Sequence, residues 1–181
     1  GPIERGEVFP GTLIPVINSQ RMLEEDWWTI PDQGWNGRVI ACVNAKAETI
    51  SKLPMFREAF KTDRVLIPAS GLYEWQEQPD GSKKKFEIGF GDGLFAFAGI
   101  ARECGKKGEP TRCTVIITTS PNEIFREIHN TKMRQAVVIQ ADALFDFDKS
   151  VLRPDGRKSI DDAVAKLKGV GLELVIATAD T

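Results

Sequence analysis

The sequence predicts an α+β fold, built on a mainly antiparallel β-sheet or barrel core with a few flanking helices. Short runs rich in β-branched and aromatic residues recur along the chain, and Arg112 to Thr119 is the clearest of them. Helical spacing is confined to a few stretches, and the regular strand–helix alternation of parallel sheets is weak. No internal repeat or linker interrupts the 181 residues, so we expect one domain over residues 1–181.

The first half of the chain alternates short strand patterns with one helical pattern. Leu13 to Ile17 predicts a short strand, and Pro15 suggests an edge position because proline cannot donate to a ladder. Arg38 to Asn44 is a better strand, since its residues alternate in polarity between two faces. Ala47 to Lys61 has helical spacing that is interrupted at Pro54.

Two strand pieces follow, at Arg64 to Pro68 and Leu72 to Gln76, with Ser70-Gly71 as a turn or bulge between them. In the second piece, alternation places Glu74 on the face opposite to its aromatic neighbours. Gln135 to Gln140 predicts another strand near the end of the sheet.

A glycine-rich turn predicts a hairpin in the middle of the chain. Lys85 to Phe90 and Leu94 to Ala101 flank Gly91-Asp92-Gly93, which is typical of a tight connection between paired strands. The run Lys83 to Lys85 stands at the start of this hairpin, so we expect it to be a solvated loop.

Capping signals place two further helices. Ser120 to Glu123 combines an N-cap serine, a proline at the first helical position and an acid at the third. That helix should run to about Glu127, which puts His129 at its C-terminal end, where the helix dipole favours a protonated ring. Another capped helix is predicted over Ser159 to Gly169, followed by a final strand from Leu172 to Ala177.

The charge balance limits the partners. The net charge is −2, from 24 basic and 26 acidic residues, so any nucleic-acid site has to be a local basic cleft. No apolar run approaches the roughly 20 residues of a membrane span, and the start has no signal-peptide pattern. The three cysteines (Cys42, Cys104 and Cys113) lack zinc or redox-motif spacing, which favours a reducing, cytoplasmic setting with no metal and no cofactor. Nothing such as a heptad argues for assembly, so a monomer is expected.

Three polar side chains stand among apolar neighbours: Asn44, Glu74 and His129. His129 is the only histidine, and histidine titrates nearest neutrality, so it is the first candidate for proton transfer. Each residue also has an ordinary interpretation: a turn-forming asparagine, a solvent-facing strand residue and a structural histidine at a helix end. Trp28 and Trp75 are suited either to stacking on bases or to filling the core.

Taken together, these segments resemble the SRAP family (SOS response-associated peptidase), the abasic-site DNA–protein crosslinking proteins. The block from Asn44 to Thr49 is similar to the family's Asn-Ala-Arg-Ala-Glu-Thr motif. The other similar segments are Phe9 to Thr12, Ile14 to Ile17, Pro54 to Arg57, Ile67 to Trp75, Phe95 to Gly99, Ile116 to Thr119 and Ile128-His129. The resemblance covers most of the chain, and its combination of motifs is specific although no single piece is.

The resemblance implies a β-rich α+β fold with a positively charged cleft for single-stranded DNA. In that family an N-terminal cysteine, exposed by removal of the initiator Met, attacks the aldehyde of an abasic sugar and closes a thiazolidine ring. Carried over, Asn44 would position that cysteine, Glu74 would handle protons during imine formation, and His129 would assist the sugar hydroxyl or ring opening. Lys46, Thr118 and Trp75 would match DNA-contacting positions.

The sequence departs from the family pattern at three places. The Met-Cys-Gly-Arg start is absent, and Phe9-Pro10 matches a point several tens of residues into a typical member, so we expect a native N-terminal segment to be missing. Lys46 replaces the usual arginine, which keeps the charge but loses the bidentate fork. Thr131 to Gln135 stands where the family has an Arg-Met-Pro run.

Two other functions fit the residues. A cysteine hydrolase would use Cys42, which strand alternation places on the same face as Asn44 and within possible reach of His129 and Glu74. This mid-strand thiol has no helix N-terminus to activate it, and buried Cys is usually inert. A non-catalytic single-stranded-DNA-binding domain would show salt-sensitive binding without a covalent product.

Overall fold

The structure is a computed structural model that describes residues 7–33, 39–89, 95–105, 111–140 and 175–177. The predicted turn Gly91-Asp92-Gly93, the predicted helix Ser159 to Gly169 and the first residues of the predicted last strand lie outside these ranges. None of the helices within the described ranges is long and apolar enough to cross a bilayer.

Strands dominate the described part of the chain. They are β1 Leu13–Ile17, β2 Leu23–Trp28, β3 Ile30–Gln33, β4 Val39–Cys42, β5 Asn44–Lys46, β6 Arg64–Ala69, β7 Leu72–Glu77, β8 Lys83–Gly89, β9 Phe95–Glu103, β10 Arg112–Thr119, β11 Gln135–Ala136, β12 Val138–Gln140 and β13 Val175–Ala177. The helices are α1 Pro54–Thr62 and α2 Glu123–Ile128.

The largest sheet has eight strands and closes on itself. Its order is β11-β10-β2-β1-β6-β9-β12, and β5 pairs with β10. Because β9 also pairs with β10, the path from β10 through β2, β1 and β6 returns to its start as a barrel. Only β2 and β5 run parallel to β10, so the predicted α+β class with a mainly antiparallel core is confirmed.

Close strand packing in the barrel depends on a glycine. Gly99 of β9 lies beside β6 and β10, and a Cβ placed there would come within 2.8 Å of Ile67 Cδ1 and 3.0 Å of the Val115 carbonyl oxygen. A side chain at this position would therefore separate the strands. The surrounding core includes fully buried Val65, Ile100 and Val115.

Most predicted strands are present, with different limits. The run from Arg38 to Asn44 divides at Val43 into β4 and β5, and the run from Gln135 to Gln140 divides at Val137 into β11 and β12. The Val43 carbonyl accepts from the Ile116 N–H of β10. The Val137 N–H donates to β10, and the Val137 carbonyl accepts from β9. The predicted edge position of Pro15 is wrong for β1, which lies between β2 and β6, although it pairs with β6 only at Ile17.

Several other expectations are wrong for clear physical reasons. Pro54 begins α1 instead of interrupting a longer helix, because proline suits the first helical turn. Asn122, not Ser120, is the N-cap of α2, since its Oδ1 accepts from the Phe125 N–H. Strands β2 and β3 were not predicted. The buried residue of β2 is Asp26, while Leu23 and Trp27 are exposed, so its sequence shows no apolar alternation.

The predicted hairpin is also wrong. Strand β8 pairs with β7 and β13, whereas β9 pairs with β6, β10 and β12, so the two strands belong to different sheets. Lys83 to Lys85 begins β8 and is not a loop. Cys104 and Cys113 form a disulfide across β9 and β10, with Cα atoms 5.9 Å apart, which the reducing interpretation did not anticipate.

Candidate active site

The centre of the candidate site is a contact between an acidic and a basic side chain on two different elements. Glu74 lies in β7, and His129 is the C-cap residue of α2. Nδ1 of His129 is 3.3 Å from Oε1 of Glu74, and each side chain is 17% exposed. The site is therefore sheltered from bulk water yet still reachable, as proton transfer to a bound molecule requires.

Polar contacts hold the end of α2 against the outer edge of β7. The Asn130 side chain accepts from the Glu77 N–H at 3.1 Å and donates to the Glu77 carbonyl at 3.0 Å, as a paired strand would. Gln76 Nε2 donates to the Glu127 carbonyl at 2.9 Å. These bonds join β7 to the end of α2 within a few residues of Glu74 and His129, so they hold the two side chains close together.

The surroundings determine how each group can carry a proton. Burial raises the pKa of the Glu74 carboxyl above its usual value, and the nearby charges of His129 and Lys132 oppose that rise. His129 Nδ1 also lies 3.2 Å from the Arg134 carbonyl oxygen. Because a carbonyl oxygen can only accept, this contact favours a proton on Nδ1 and leaves Nε2 for proton exchange.

Strand β5 carries Asn44 and Lys46 on one exposed face, with buried Ala45 between them. It runs parallel to β10, with Asn44 opposite Ile116 and Lys46 opposite Thr118. Thr118 is only 8% exposed. The structure therefore brings Lys46 and Thr118 together, and it places Asn44 on the same face as Lys46.

The two tryptophans occupy different environments. The Trp28 indole Nε1–H donates to the Val43 carbonyl at 3.0 Å, immediately before β5, and the ring is half-buried. Trp75 is 42% exposed and lies on the face of β7 opposite to Glu74, with Lys85 Nζ 5.9 Å from its ring centre. Lys85 is also paired with Glu7. Of the two rings, Trp75 is the one available for stacking.

Arg134 and Glu48 join the two parts of the site and were not singled out by the sequence analysis. Arg134 donates to both Glu48 carboxylate oxygens, at 3.1 and 2.8 Å, and to the Thr118 carbonyl at 2.6 Å. Its own carbonyl faces His129, so one residue links β5, β10 and the loop after α2. The sequence contained one indication of this pair: Glu48 belongs to the Asn44 to Thr49 block that resembles the family motif, but the sequence analysis assigned it no role.

Cys42 does not share a strand with Asn44, because Val43 separates β4 from β5. Its half-buried side chain packs against the main core cluster. In the described ranges, no three histidine, cysteine, aspartate or glutamate side chains are arranged to hold a metal ion.

The model of the family described as SOS response associated peptidase (SRAP) matches residues 3–168 of the chain. The chain is 34% identical over 122 residues to abasic site processing protein YoqW of Bacillus subtilis, covering 66% of this chain and 54% of that protein. It is 32% identical over 136 residues to YoaM of the same organism, covering 72% of this chain and 59% of that protein. The chain therefore spans between half and two thirds of the length of these two relatives.

Solved structures of similar fold extend the comparison. A crystal structure of a protein from Bordetella bronchiseptica superposes with a TM-score of 0.71 at 19% identity, covering 96% of this chain and 87% of that one. One from Bacteroides thetaiotaomicron gives a TM-score of 0.68 at 24% identity, covering 87% and 68% of the two chains. At these identities the likeness concerns the fold.

Proposed function

The chain belongs to the SOS response-associated peptidase (SRAP) family, and from this premise we propose that it processes abasic sites in single-stranded DNA by covalent attachment through an N-terminal cysteine. The observation that carries the proposal is the Glu74–His129 pair, in which a carboxyl of raised pKa meets the chain's only histidine at 3.3 Å. A sheltered acid–base pair suits the proton transfers of imine formation. The 181 residues begin with Gly1 and not with a cysteine, so the assay uses a protein that begins with the family's Met-Cys start.

The proposed reaction has three proton-dependent stages. His129 removes the proton of the sugar C1′ hydroxyl and returns it to the ring oxygen, so the ring opens to the aldehyde and a C4′ hydroxyl. The cysteine α-amine adds to C1′, Glu74 supplies the proton with which the resulting hydroxyl leaves as water, and the Glu74 carboxylate then takes the N–H proton of the iminium to give the imine. The thiol then adds to the imine carbon and transfers its proton to the nitrogen, closing the thiazolidine. Because both nucleophiles belong to one residue, the second addition is intramolecular and benefits from a high effective concentration.

In this proposal Asn44 holds the N-terminal cysteine through its amide, next to the exposed Lys46. The same arrangement would support autopeptidase removal of the initiator Met, since that step also needs the cysteine oriented and its leaving amine protonated.

DNA contacts are proposed for residues of β5, β10 and β7. Lys46 and Thr118 pair in register at the junction of β5 and β10, and Lys46 would contact a phosphate as a point charge. Exposed Trp75 would stack on a base, whereas Trp28 would contribute mainly by holding the backbone before Asn44. The net charge of −2 means that binding depends on these local contacts and should weaken with salt.

The test uses the full-length protein and a single-stranded oligonucleotide with one abasic site. We expect a heat-stable shifted band on a denaturing gel, absent with an undamaged oligonucleotide and absent for the chain starting at Gly1. Reversible binding without a band would contradict covalent chemistry and indicate a binding module. A band that needs Cys42, and disappears in Cys42→Ala, would contradict N-terminal attachment and favour the internal thiol.

A further inference from the structure

We propose that Arg134 and Glu48 are positioning residues that hold the Arg134 carbonyl against His129. This carbonyl, together with the Glu74 carboxylate on the same nitrogen, keeps the ring proton on Nδ1 and presents Nε2 to the substrate. The consequence for catalysis rests on the proposed function. The positioning itself is a property of the folded chain and can be measured without any substrate.

The guanidinium of Arg134 is fixed by three protein groups. Nη1 and Nη2 donate to the two Glu48 oxygens in a bidentate pair, at 3.1 and 2.8 Å. Nη2 also donates to the Thr118 carbonyl at 2.6 Å and lies 3.3 Å from the Thr118 hydroxyl. A bidentate arginine–carboxylate pair has a preferred geometry that a lysine cannot reproduce.

The contacts of Arg134 reach elements that the barrel already holds in place. The Thr118 carbonyl that accepts from Arg134 also accepts from the Ala47 N–H at 2.8 Å. Glu48 lies two residues after the end of β5, and its hydrogen bonds from Arg134 lower the pKa of its carboxyl, so the pair remains ionised at neutral pH. The guanidinium is therefore anchored to β5 and β10 and not to a mobile surface.

The main chain of Arg134 closes the loop that carries His129. Its carbonyl oxygen lies 3.2 Å from His129 Nδ1, and the Met133 N–H donates to the His129 carbonyl at 3.2 Å. Met133 has a φ of 52°, which is unfavourable for a side chain with a Cβ and has to be held by its surroundings. The side-chain anchor of Arg134 is the feature next to Met133 that can supply this restraint.

Because its guanidinium is hydrogen-bonded to Glu48 and Thr118, Arg134 has a different role from Lys46. Its charge is already paired with Glu48, and Nε is buried without a hydrogen-bond partner. A phosphate contact by Arg134 would require breaking the Glu48 pair, so we expect little contribution to DNA affinity. Lys46 is exposed on β5 and remains a candidate for that contact.

The test reads the ring directly, because His129 is the only histidine and its two ring nitrogens give unambiguous NMR signals. We would record ¹⁵N shifts of the neutral ring in the present chain, in Arg134→Lys, in Glu48→Gln and in the matched control Arg126→Lys, an exposed arginine in α2. We expect the Nδ1–H form to predominate in the parent and control, and the Nε2–H form to increase several-fold in the two variants. A parent ring protonated on Nε2, or an unchanged ratio in both folded variants, would overturn the proposal.

Full-length variants then separate positioning from DNA binding. Arg134→Lys should slow crosslinking at saturating DNA by about tenfold to a hundredfold, as expected for a misplaced catalytic group. In Arg134→Gln, which removes the charge, the dependence of affinity on salt should stay unchanged, and a slope lowered by about one unit would identify a phosphate contact and overturn the proposal. If the parent makes no crosslink at all, the proposed function fails while the NMR result still decides the positioning.

Discussion

Asp26 is a fully buried carboxylate and Glu74 a partly buried one, and each lies beside a basic side chain, but their surroundings differ. Asp26 is fully buried in β2, and its Oδ1 accepts from Arg112 Nε at 3.2 Å. Arg112 also donates to both oxygens of Asp63, at 2.9 and 3.0 Å. Glu74 keeps 17% of its side chain exposed and faces His129, which can lose its charge.

Desolvation is the main cause of a raised pKa in both carboxyls, so burial alone does not distinguish them. The partner does. Arginine remains charged at every accessible pH, so the Arg112 group can only hold strands together. A histidine partner exchanges protons near neutrality, and access to solvent lets a substrate reach it. A perturbed carboxyl is therefore a functional candidate only when its partner can change charge and the site is open.

The largest expected effect is the loss of chemistry at the open pair. Glu74→Gln keeps the size of the side chain but removes its proton transfer, and we expect the crosslinking rate of the full-length protein to fall by about 10²–10⁴. Single-turnover gel assays at saturating abasic oligonucleotide measure this rate. A rate within twofold of the parent would show that the pair is no more catalytic than the Arg112 group.

The next effect is structural and belongs to the closed cluster. Arg112→Leu leaves Asp26 buried without its cation, and we expect the free energy of unfolding to fall by about 3 kcal/mol. Urea denaturation of the present chain provides the measurement. The control Arg57→Ala removes an arginine whose side chain is 52% exposed and should change stability by less than about 1 kcal/mol. If both variants lost the same free energy of unfolding, the buried Asp26–Arg112 pair would contribute no more to stability than an exposed arginine, which would contradict this prediction.

A pH series sharpens the comparison further. Burial raises the pKa of Asp26 above 3.8, so its favourable contribution is complete below that value and is lost as pH rises through the folded-state pKa. Asp26→Asn removes this titration. The stability of the parent relative to Asp26→Asn should therefore decrease between about pH 3 and neutrality, measured as urea midpoints. A constant difference across the series would mean that Arg112 fully offsets the desolvation.

The smallest expected effect concerns Trp28, near the end of the same strand as Asp26. Trp28→Phe removes the indole donor to the Val43 carbonyl, and we expect a loss of about 1 kcal/mol in stability. DNA affinity should hardly change.

In contrast, Trp75→Ala should weaken single-strand binding by about 1–3 kcal/mol, measured by fluorescence anisotropy. If Trp28→Phe weakened DNA binding more than Trp75→Ala, the result would show that bases stack on Trp28 of β2 and not on Trp75.

The sequence predicted well where local pattern and burial agree. β1, β6, β7 and β10 match predicted strand segments, and α2 ends at Ile128, close to the expected Glu127, so His129 lies at its C-terminal end as predicted. Strand β2 was missed because its buried Asp26 is compatible with a strand only when Arg112, distant in sequence, lies beside it. The predicted hairpin failed for a related reason, since a turn signal does not say which sheet each flanking strand joins.

The sequence by itself determined the class of fold, the family resemblance, and the three polar residues Asn44, Glu74 and His129. Only the tertiary structure decided that Glu74 meets His129 and that Arg134 joins β10 and the residues after β5 to the histidine loop. Side-chain periodicity depends on backbone geometry over a few residues and can be recognised locally. Ion pairs between distant residues depend on barrel closure and strand register, which arise from the packing of the whole chain.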